Sequence, residues 1–175
     1  PQLARLAQRP GQLVFVNRRS PVPLSQARFV GIDNLAAVQT VAGWMADHCP
    51  GKLALLHGDV RSSATRERVE GFLGACRSLG QPLDRACIRT GPGLSHLEIG
   101  FEGMRKLMAL KRPPVAVFCT SDLIAYGAHR CLRENYPSLL EQVRLVGFDH
   151  SPLNTWVAPW LTGIRVPYGE YGDAI

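Results

Sequence analysis

A continuously apolar run passes straight into a helical pattern in the stretch Val115-Ala-Val-Phe-Cys-Thr-Ser-Asp-Leu-Ile-Ala-Tyr-Gly-Ala128. Strands that are buried on both faces of a parallel sheet have such runs, so Val115 to Cys119 is predicted to be one. Asp122 is predicted to cap the helix that follows, because its short acceptor side chain precedes apolar residues at helical spacing. The stretch is therefore predicted to form one strand and one helix of a βαβ unit.

The same alternation of strand and helix extends in both directions. Six further short runs are predicted to be strands: Leu13 to Val16, Phe29 to Ile32, Leu53 to His57, Cys87 to Arg89, Leu145 to Phe148 and Leu161 to Val166. Helical periodicity lies between several of them, at Leu35 to His48, Arg66 to Leu79 and Ile99 to Leu110. Alternation at this spacing predicts an α/β fold, a doubly wound parallel sheet with helices on both faces.

The composition is that of a folded globular protein. Hydrophobic side chains make up 46% of the 175 residues, which excludes disordered and fibrous classes. The apolar runs fall far short of the roughly 20 residues that cross a bilayer, so no membrane partner is expected. The net charge of +6 comes from arginines interleaved with acidic and apolar residues, which indicates a solvated surface rather than a nucleic-acid site.

The positions of cysteine and histidine argue against metal binding. The five cysteines and five histidines are scattered singly, so we expect buried free thiols in a reducing cytoplasm and neither a metal site nor a cofactor. The sequence has no GxSxG nucleophile elbow, no GxxxxGK(S/T) phosphate loop and no GxGxxG fingerprint. No catalytic residues are predicted, and the protein is not expected to be an enzyme.

Short polar side chains follow five of the predicted strands, where parallel sheets bind their ligands. They are Asn17 and Arg18, Asp33 and Asn34, Asp59, Ser121 and Asp122, and Asp149, with Arg68 one turn into the helix after the third strand. A sugar presents vicinal hydroxyls, which suit arginine as donor and aspartate as acceptor. Arg68 and Asp149 are therefore the predicted ligand-binding pair, whereas Asp33 is equally well explained as a ligand contact or as a helix cap.

Five segments in one order resemble the effector-binding domain of the lac repressor and gal repressor family. They are Gly31 to Asn34, Arg68 to Phe72, Val115 to Ala128, Val143 to Asp149 and Pro159 to Pro167. The resemblance implies a two-lobed fold like that of periplasmic sugar-binding proteins, with the ligand between the lobes. Residues 1–32 would be part of the first lobe, 33–149 the second, effector-binding lobe, and 150–175 the crossover back to the first. The chain would then be an incomplete fragment, without the DNA-binding head.

The resemblance also assigns ligand contacts to seven positions: Asn17, Arg18, Asn34, Arg68, Ser121, Asp149 and Arg165. Asn17 stands where sugar binders often have Asp, Ser121 where Asn is usual, and Arg165 where a polar amide is common. These departures favour a sugar phosphate or a sugar acid over a plain sugar, with a nucleoside as a further alternative. Tyr126 and Trp156 fall where the family forms its dimer interface.

These features together predict the effector-sensing and dimerisation domain of a bacterial, cytoplasmic transcription regulator, with repression as its expected action. A small-molecule effector would alter how the homodimer binds operator DNA through its N-terminal heads. The alternative is the periplasmic sugar-binding protein of an ABC transporter, which shares the fold and the ligand geometry. Five unpaired cysteines argue against that alternative, because an oxidising compartment disfavours free thiols.

Overall fold

Two parallel sheets organise the protein in this computed structural model, which describes residues 5, 13–20, 22–24 and 27–175. The smaller sheet pairs β1 (Leu13–Val16) with β2 (Ala27–Val30). The larger sheet has the strand order β4-β3-β5-β6-β7 and is parallel throughout. Its strands are β3 (Leu53–Leu56), β4 (Ile88–Arg89), β5 (Ala116–Cys119), β6 (Arg144–Asp149) and β7 (Thr162–Arg165). The predicted α/β class with parallel sheets is confirmed.

Helices cover both faces of the larger sheet. The four long ones are α1 (Asn34–His48), α2 (Ser63–Ser78), α3 (His96–Met108) and α4 (Asp122–Asn135), and two single turns follow, α5 (Asn154–Val157) and α6 (Tyr171–Ala174). Because strand side chains alternate between faces, Leu55 and Phe118 pack under α1 and α2, whereas Leu56 and Val117 pack under α3 and α4. The sheet is thus buried on both sides, and its polar groups emerge only where the strands end.

Edge elements and caps differ from the sequence prediction. The second strand is Ala27–Val30 rather than Phe29 to Ile32, and Cys87 belongs to a 3₁₀ turn, which leaves only Ile88–Arg89 as strand β4. Helix α3 begins at His96, three residues before the predicted start, because Ser95 and Glu98 form a capping box. Short edge strands and polar first turns carry little hydrophobic pattern, so periodicity places their ends poorly.

The predicted cap of α4 is wrong by one residue. Ser121 has the extended backbone of an N-cap, and its Oγ accepts a hydrogen bond from the Ile124 N–H. Asp122 is the first helical residue, and its carboxylate instead accepts hydrogen bonds from the distant Ser151 and Asn154. Asp33, by contrast, does cap its helix, because its Oδ1 accepts from the Ala36 N–H at 3.0 Å.

The end of the chain adds a strand to the larger sheet before it turns toward the smaller one. β7 pairs with β6, so the boundary predicted at residue 149 falls inside this sheet. After β7, Tyr171 reaches the end of β1, where its hydroxyl donates a hydrogen bond to Asn17 Oδ1 at 2.7 Å. A return toward the first sheet therefore starts after Arg165. The division into lobes at 1–32, 33–149 and 150–175 stays a prediction.

All five cysteines are buried and unpaired, as the sequence predicts. Burial raises the pKa of every one of these thiols, to about 11 at Cys76 and Cys131, so the thiols stay protonated near neutral pH. They serve as small apolar core residues. Within the described ranges, no helix is both long enough and apolar enough to span a membrane.

Candidate ligand-binding site

A cavity of about 420 Å³ opens at the carboxyl ends of the strands, and we call it the strand-end cleft. Five of the seven predicted ligand contacts line it: Asn17, Arg18, Arg68, Ser121 and Asp149. Its volume is in the range of small-molecule sites. A larger hollow of about 750 Å³ lies between the outer faces of α1 and α2, but none of the predicted residues lines it. The polar strand ends therefore converge on one cleft, as expected for an open parallel sheet.

Arg68 is held rigidly at one wall of the strand-end cleft. It is only 8% exposed, and its guanidinium lies over the Phe148 ring, 3.6 Å from the centroid. Its Nε donates to Asn34 Oδ1 and its Nη1 to the Thr120 carbonyl, both at 2.9 Å. Burial lowers the pKa of Arg68, and nearby Asp149 partly offsets this, yet an arginine so bonded stays charged. Its donors are thus fixed before any ligand arrives.

Asp149 faces Arg68 from the end of β6. One carboxylate oxygen lies 3.5 Å from Arg68 Nη1 and also accepts a hydrogen bond from the Tyr168 hydroxyl at 3.1 Å. Burial raises the pKa of Asp149, and Arg68 and Tyr168 act in the opposite direction. The side chain keeps 29% of its surface exposed, so this acceptor remains accessible from the cleft.

The backbone is strained at the strand ends that lead into the cleft. Among the described residues, the non-glycine residues with positive φ are Asn17 at 60°, Asp149 at 105° and His150 at 46°. These residues follow β1 and close β6, and Asn17 and Asp149 line the cleft. Such conformations cost about 1–3 kcal/mol each and concentrate at binding sites. There they point side chains in directions that the regular backbone of a strand does not allow.

Two predicted contacts lie outside the strand-end cleft. Asn34 is buried behind Arg68, where its Nδ2 donates to Glu67 Oε2 at 2.8 Å while its Oδ1 holds the guanidinium. It therefore orients Arg68 rather than facing the cavity. Arg165 is opposite Asp149 in the β6–β7 register, but its side chain is exposed and does not line the cleft.

Among the residues that line the cleft without having been predicted, His96 and Tyr168 contact predicted ligand residues. His96 begins α3, and its Nδ1 lies 3.0 Å from Ser121 Oγ. The capping box at Ser95 is the sequence feature that could have placed it beside a strand end. Tyr168 lies in the segment that follows β7, which carries no strand or helix pattern that relates it to the cleft. Burial, together with the Asp149 charge, raises the pKa of Tyr168 to about 12, so its hydroxyl remains a donor.

Of the two predicted interface residues, Tyr126 lines the cleft and Trp156 lies outside it. Tyr126 lines the cleft on one side, and its hydroxyl donates to Asn154 Oδ1. Asn154 in turn donates to Asp122, so a chain of hydrogen bonds runs from the cleft to α5. On α5, Trp156 is 85% exposed, with Leu153 and Val157 exposed beside it. An apolar surface of this kind is typical of a contact with another protein.

The site suits reversible binding of a small polar molecule. Fixed guanidinium donors lie beside a carboxylate acceptor in the wall of a cavity of small-molecule size. The nearest approach to a catalytic pair is His96 with Ser121, but that serine oxygen already caps α4. In the part of the chain described, no cluster of three or more His, Cys, Asp or Glu is placed to hold a metal ion.

A family model for the periplasmic binding protein-like domain matches residues 46–175. The chain belongs to this family. The individual relatives distinguish between a transport protein and a regulator. The cleft at the carboxyl ends of parallel strands is what such a domain would use to hold its ligand.

The relatives are transcription regulators. The chain is 30% identical over 143 residues to the HTH-type transcriptional repressor CytR of Escherichia coli (strain K12), covering 82% of this chain and 41% of that protein. A LacI-family regulatory protein from Chloroflexus aggregans has the same fold, with a TM-score of 0.81, 24% identity, and coverage of 99% of this chain and 61% of that one. The resemblance to the effector-binding domain of the lac repressor and gal repressor family is confirmed, and the transporter alternative is not supported.

A third relative has been solved with a ligand. It is the transcriptional regulator CelR in complex with cellobiose, with a TM-score of 0.77, 26% identity, and coverage of 92% of this chain and 49% of that one. The chain spans only about two fifths of CytR, at 41%, and about half of CelR, at 49%. Both relatives therefore contain segments beyond the part that this chain matches.

Proposed function

We propose that this chain is the effector-sensing and dimerisation domain of a cytoplasmic bacterial repressor, which binds operator DNA through a separate N-terminal head. The observation that carries the proposal is the Arg68–Asp149 pair in the strand-end cleft, with Nη1 and Oδ1 3.5 Å apart. This geometry presents fixed donors beside an accessible acceptor, which is what vicinal hydroxyls require. The function is binding without turnover, so no bond-making step is involved.

The effector that best fits the cleft is a neutral sugar. Arg68 already faces Asp149, and Arg165, one of the residues that favoured an acidic effector, lies away from the cavity. A sugar phosphate or sugar acid would add a negative charge beside Asp149 without a second buried cation, since Arg18, the other arginine that lines the cleft, is exposed. The cellobiose complex of CelR supports a neutral sugar as the effector class.

Signal transmission requires the effector to bind one arrangement of the domain better than another. The hydrogen bonds from Asp122 through Asn154 to Tyr126 link the cleft to α5 and the exposed Trp156. We place the homodimer contact at Tyr126 and Trp156, where a second copy would cover the exposed ring. Replacing Trp156 with alanine should weaken the dimer by about tenfold or more in sedimentation equilibrium, and an unchanged association constant would exclude this interface.

The proposal is tested by thermal unfolding of the complete regulator with glucose, cellobiose, galactose, lactose, glucose 6-phosphate, gluconate and adenosine. A ligand at 100 times its dissociation constant stabilises the folded state by about 2.7 kcal/mol, which is readily seen. The stabilisation should disappear in Arg68→Ala and persist in Arg66→Ala, an exposed arginine on the same helix that does not line the cleft. Stabilisation that survives Arg68→Ala would refute the site.

A further inference from the structure

A second cavity adjoins the strand-end cleft. It has a volume of about 470 Å³ and lies between the loops that follow β3 and β4. We call it the side chamber; its lining includes His57, Gly58, Thr90, Leu94 and Ile99. None of the seven predicted ligand contacts lines it. The side chamber is slightly larger than the strand-end cleft, at about 470 Å³ against about 420 Å³. It therefore has room for a chemical group as large as the one that the cleft could hold.

One of the described side chains lines both cavities. His96 lines both of them, with its Nδ1 3.0 Å from Ser121 Oγ on the cleft side. On the other side the imidazole lies against Gly58, since a Cβ there would be 2.7 Å from its Nε2. Only glycine therefore leaves space for this ring position. A ligand that reaches past His96 would occupy both cavities at once.

The chemistry of the side chamber suits an uncharged polar ring. Its charged groups, Asp59 and Arg61, are bonded to each other, with Arg61 Nε donating to Asp59 Oδ2 at 2.6 Å. Leu94 and Ile99 offer apolar surface for the C–H face of a sugar, while His57 and Thr90 offer polar groups. An anionic substituent would need an unpaired cation, and the cation that lines this chamber is already paired.

We propose that the side chamber holds the second ring of a disaccharide effector, with His96 alongside the linkage between the rings. This inference rests on the proposed function, because the first ring is the one held by Arg68 and Asp149. His96 can donate or accept one hydrogen bond through Nε2 while Ser121 orients its Nδ1. The chamber and His96 together make the domain selective for a disaccharide over its component monosaccharide.

The test compares matched sugars by isothermal titration of the complete regulator. The pairs are glucose with cellobiose and galactose with lactose, and glucose 6-phosphate is the anionic probe. One disaccharide should bind about tenfold or more tightly than its monosaccharide. Leu94→Trp, which fills the chamber at a half-exposed position, should abolish that preference and leave monosaccharide binding unchanged. Leu79→Trp is the matched control: Leu79, the C-cap residue of α2, is similarly exposed and lines neither cavity, so the substitution should change neither the preference nor monosaccharide binding.

A second filling variant, Val60→Trp, keeps the test decisive if Leu94→Trp does not fold, because Val60 also lines the chamber and is exposed. The proposal is overturned if no disaccharide is preferred, if filling the chamber weakens both sugars of a pair equally, or if glucose 6-phosphate binds best. Loss of all binding in Arg68→Ala with no effect of either filling variant would refute the chamber and leave the proposed function standing. Disaccharide binding that survives Arg68→Ala would refute both.

Discussion

Two carboxylates reach the strand-end cleft from different elements, and their surroundings are opposite. Asp122, in the first turn of α4, is 5% exposed and accepts hydrogen bonds from the Ser151 N–H at 2.8 Å and the Asn154 amide at 3.0 Å. Asp149, at the end of β6, keeps 29% of its side chain exposed and sits on a left-handed backbone. Asp122 is therefore bonded within the protein through Oδ2, whereas Asp149 keeps an accessible oxygen for a ligand.

The difference teaches how to separate structural from functional polar residues at the end of a parallel strand. Both residues are aspartates at or just after the end of a buried strand, and both line the same cleft. A structural carboxylate has donors from the protein's own backbone and amides. A functional one has a fixed cation beside it, a strained backbone and an oxygen still open to the cavity. The following variants test this distinction, in order of decreasing effect.

Asp122→Ala should cause the largest loss, and the loss should be in stability. The variant leaves the Ser151 N–H and the Asn154 amide without their acceptor inside the protein. We expect the free energy of unfolding in urea to fall by about 3 kcal/mol. Asp47→Ala, an exposed acidic residue on α1, should change it by less than about 0.5 kcal/mol. If the two substitutions lower the free energy of unfolding equally, Asp122 does not have the structural role assigned to it.

Asp149→Asn should weaken sugar binding and leave stability nearly unchanged. Asparagine tolerates the left-handed backbone, so we expect the unfolding free energy to change by less than about 1 kcal/mol. The dissociation constant of the sugar should rise by about 30-fold, or about 2 kcal/mol, because a charged acceptor is lost. Urea denaturation and titration calorimetry on the same preparation give both numbers. If Asp149→Asn is destabilised as strongly as Asp122→Ala, both carboxylates have a structural role and the distinction between them is wrong.

Tyr168→Phe should also weaken sugar binding, but less than Asp149→Asn does. It removes the hydroxyl that donates to Asp149 Oδ1 at 3.1 Å and leaves the ring in place. Sugar affinity should fall by about fivefold, near 1 kcal/mol, since the carboxylate loses one of its two orienting partners. Tyr136→Phe, at the far end of α4, is the matched control and should leave affinity unchanged. An unaltered affinity in Tyr168→Phe would separate this tyrosine from the site.

The pH dependence of stability gives the smallest effect. Because burial raises the folded-state pKa of Asp149 above its usual 3.8, the folded protein binds this proton more tightly than the unfolded chain. The resulting stability is fully present below the unfolded pKa and is lost as pH rises through the folded pKa. Without sugar, the wild type should gain stability relative to Asp149→Asn as the pH falls from about 7 to about 4. Parallel curves would show that the folded protein does not perturb this carboxyl group.

Much of this architecture is readable from the sequence, and the reason is hydrophobic pattern. β3 and β5 are continuous apolar runs buried on both faces, and β6 has a buried run between its two end residues, so the fold class and the central strands follow from hydrophobic pattern. Arg68 and Asp149 follow from the rule that ligands bind at the carboxyl ends of parallel strands. β2 and β4 were misplaced because edge strands are short and only partly buried.

Long-range contacts account for what the sequence analysis missed. Ser121 and Asp122 are equally good helix caps, and contacts with Ser151 and Asn154 decide between them. Tyr168 and His96 enter the cleft from the tail and from α3, and no local pattern relates either to Asp149 or Ser121. Asn34 lies behind Arg68 rather than in the cleft because the guanidinium requires a buried acceptor. Such placements depend on tertiary packing rather than on residue type.

The most direct test of the central claim is a crystal structure of the complete regulator with the sugar that stabilises it most. Density for a sugar ring should lie in the strand-end cleft, with hydroxyl oxygens within about 3.2 Å of Arg68 and Asp149 and none on Asp122. Density in the hollow between α1 and α2 instead, or a sugar bonded to Asp122 and not to Asp149, would contradict the assignment of this site.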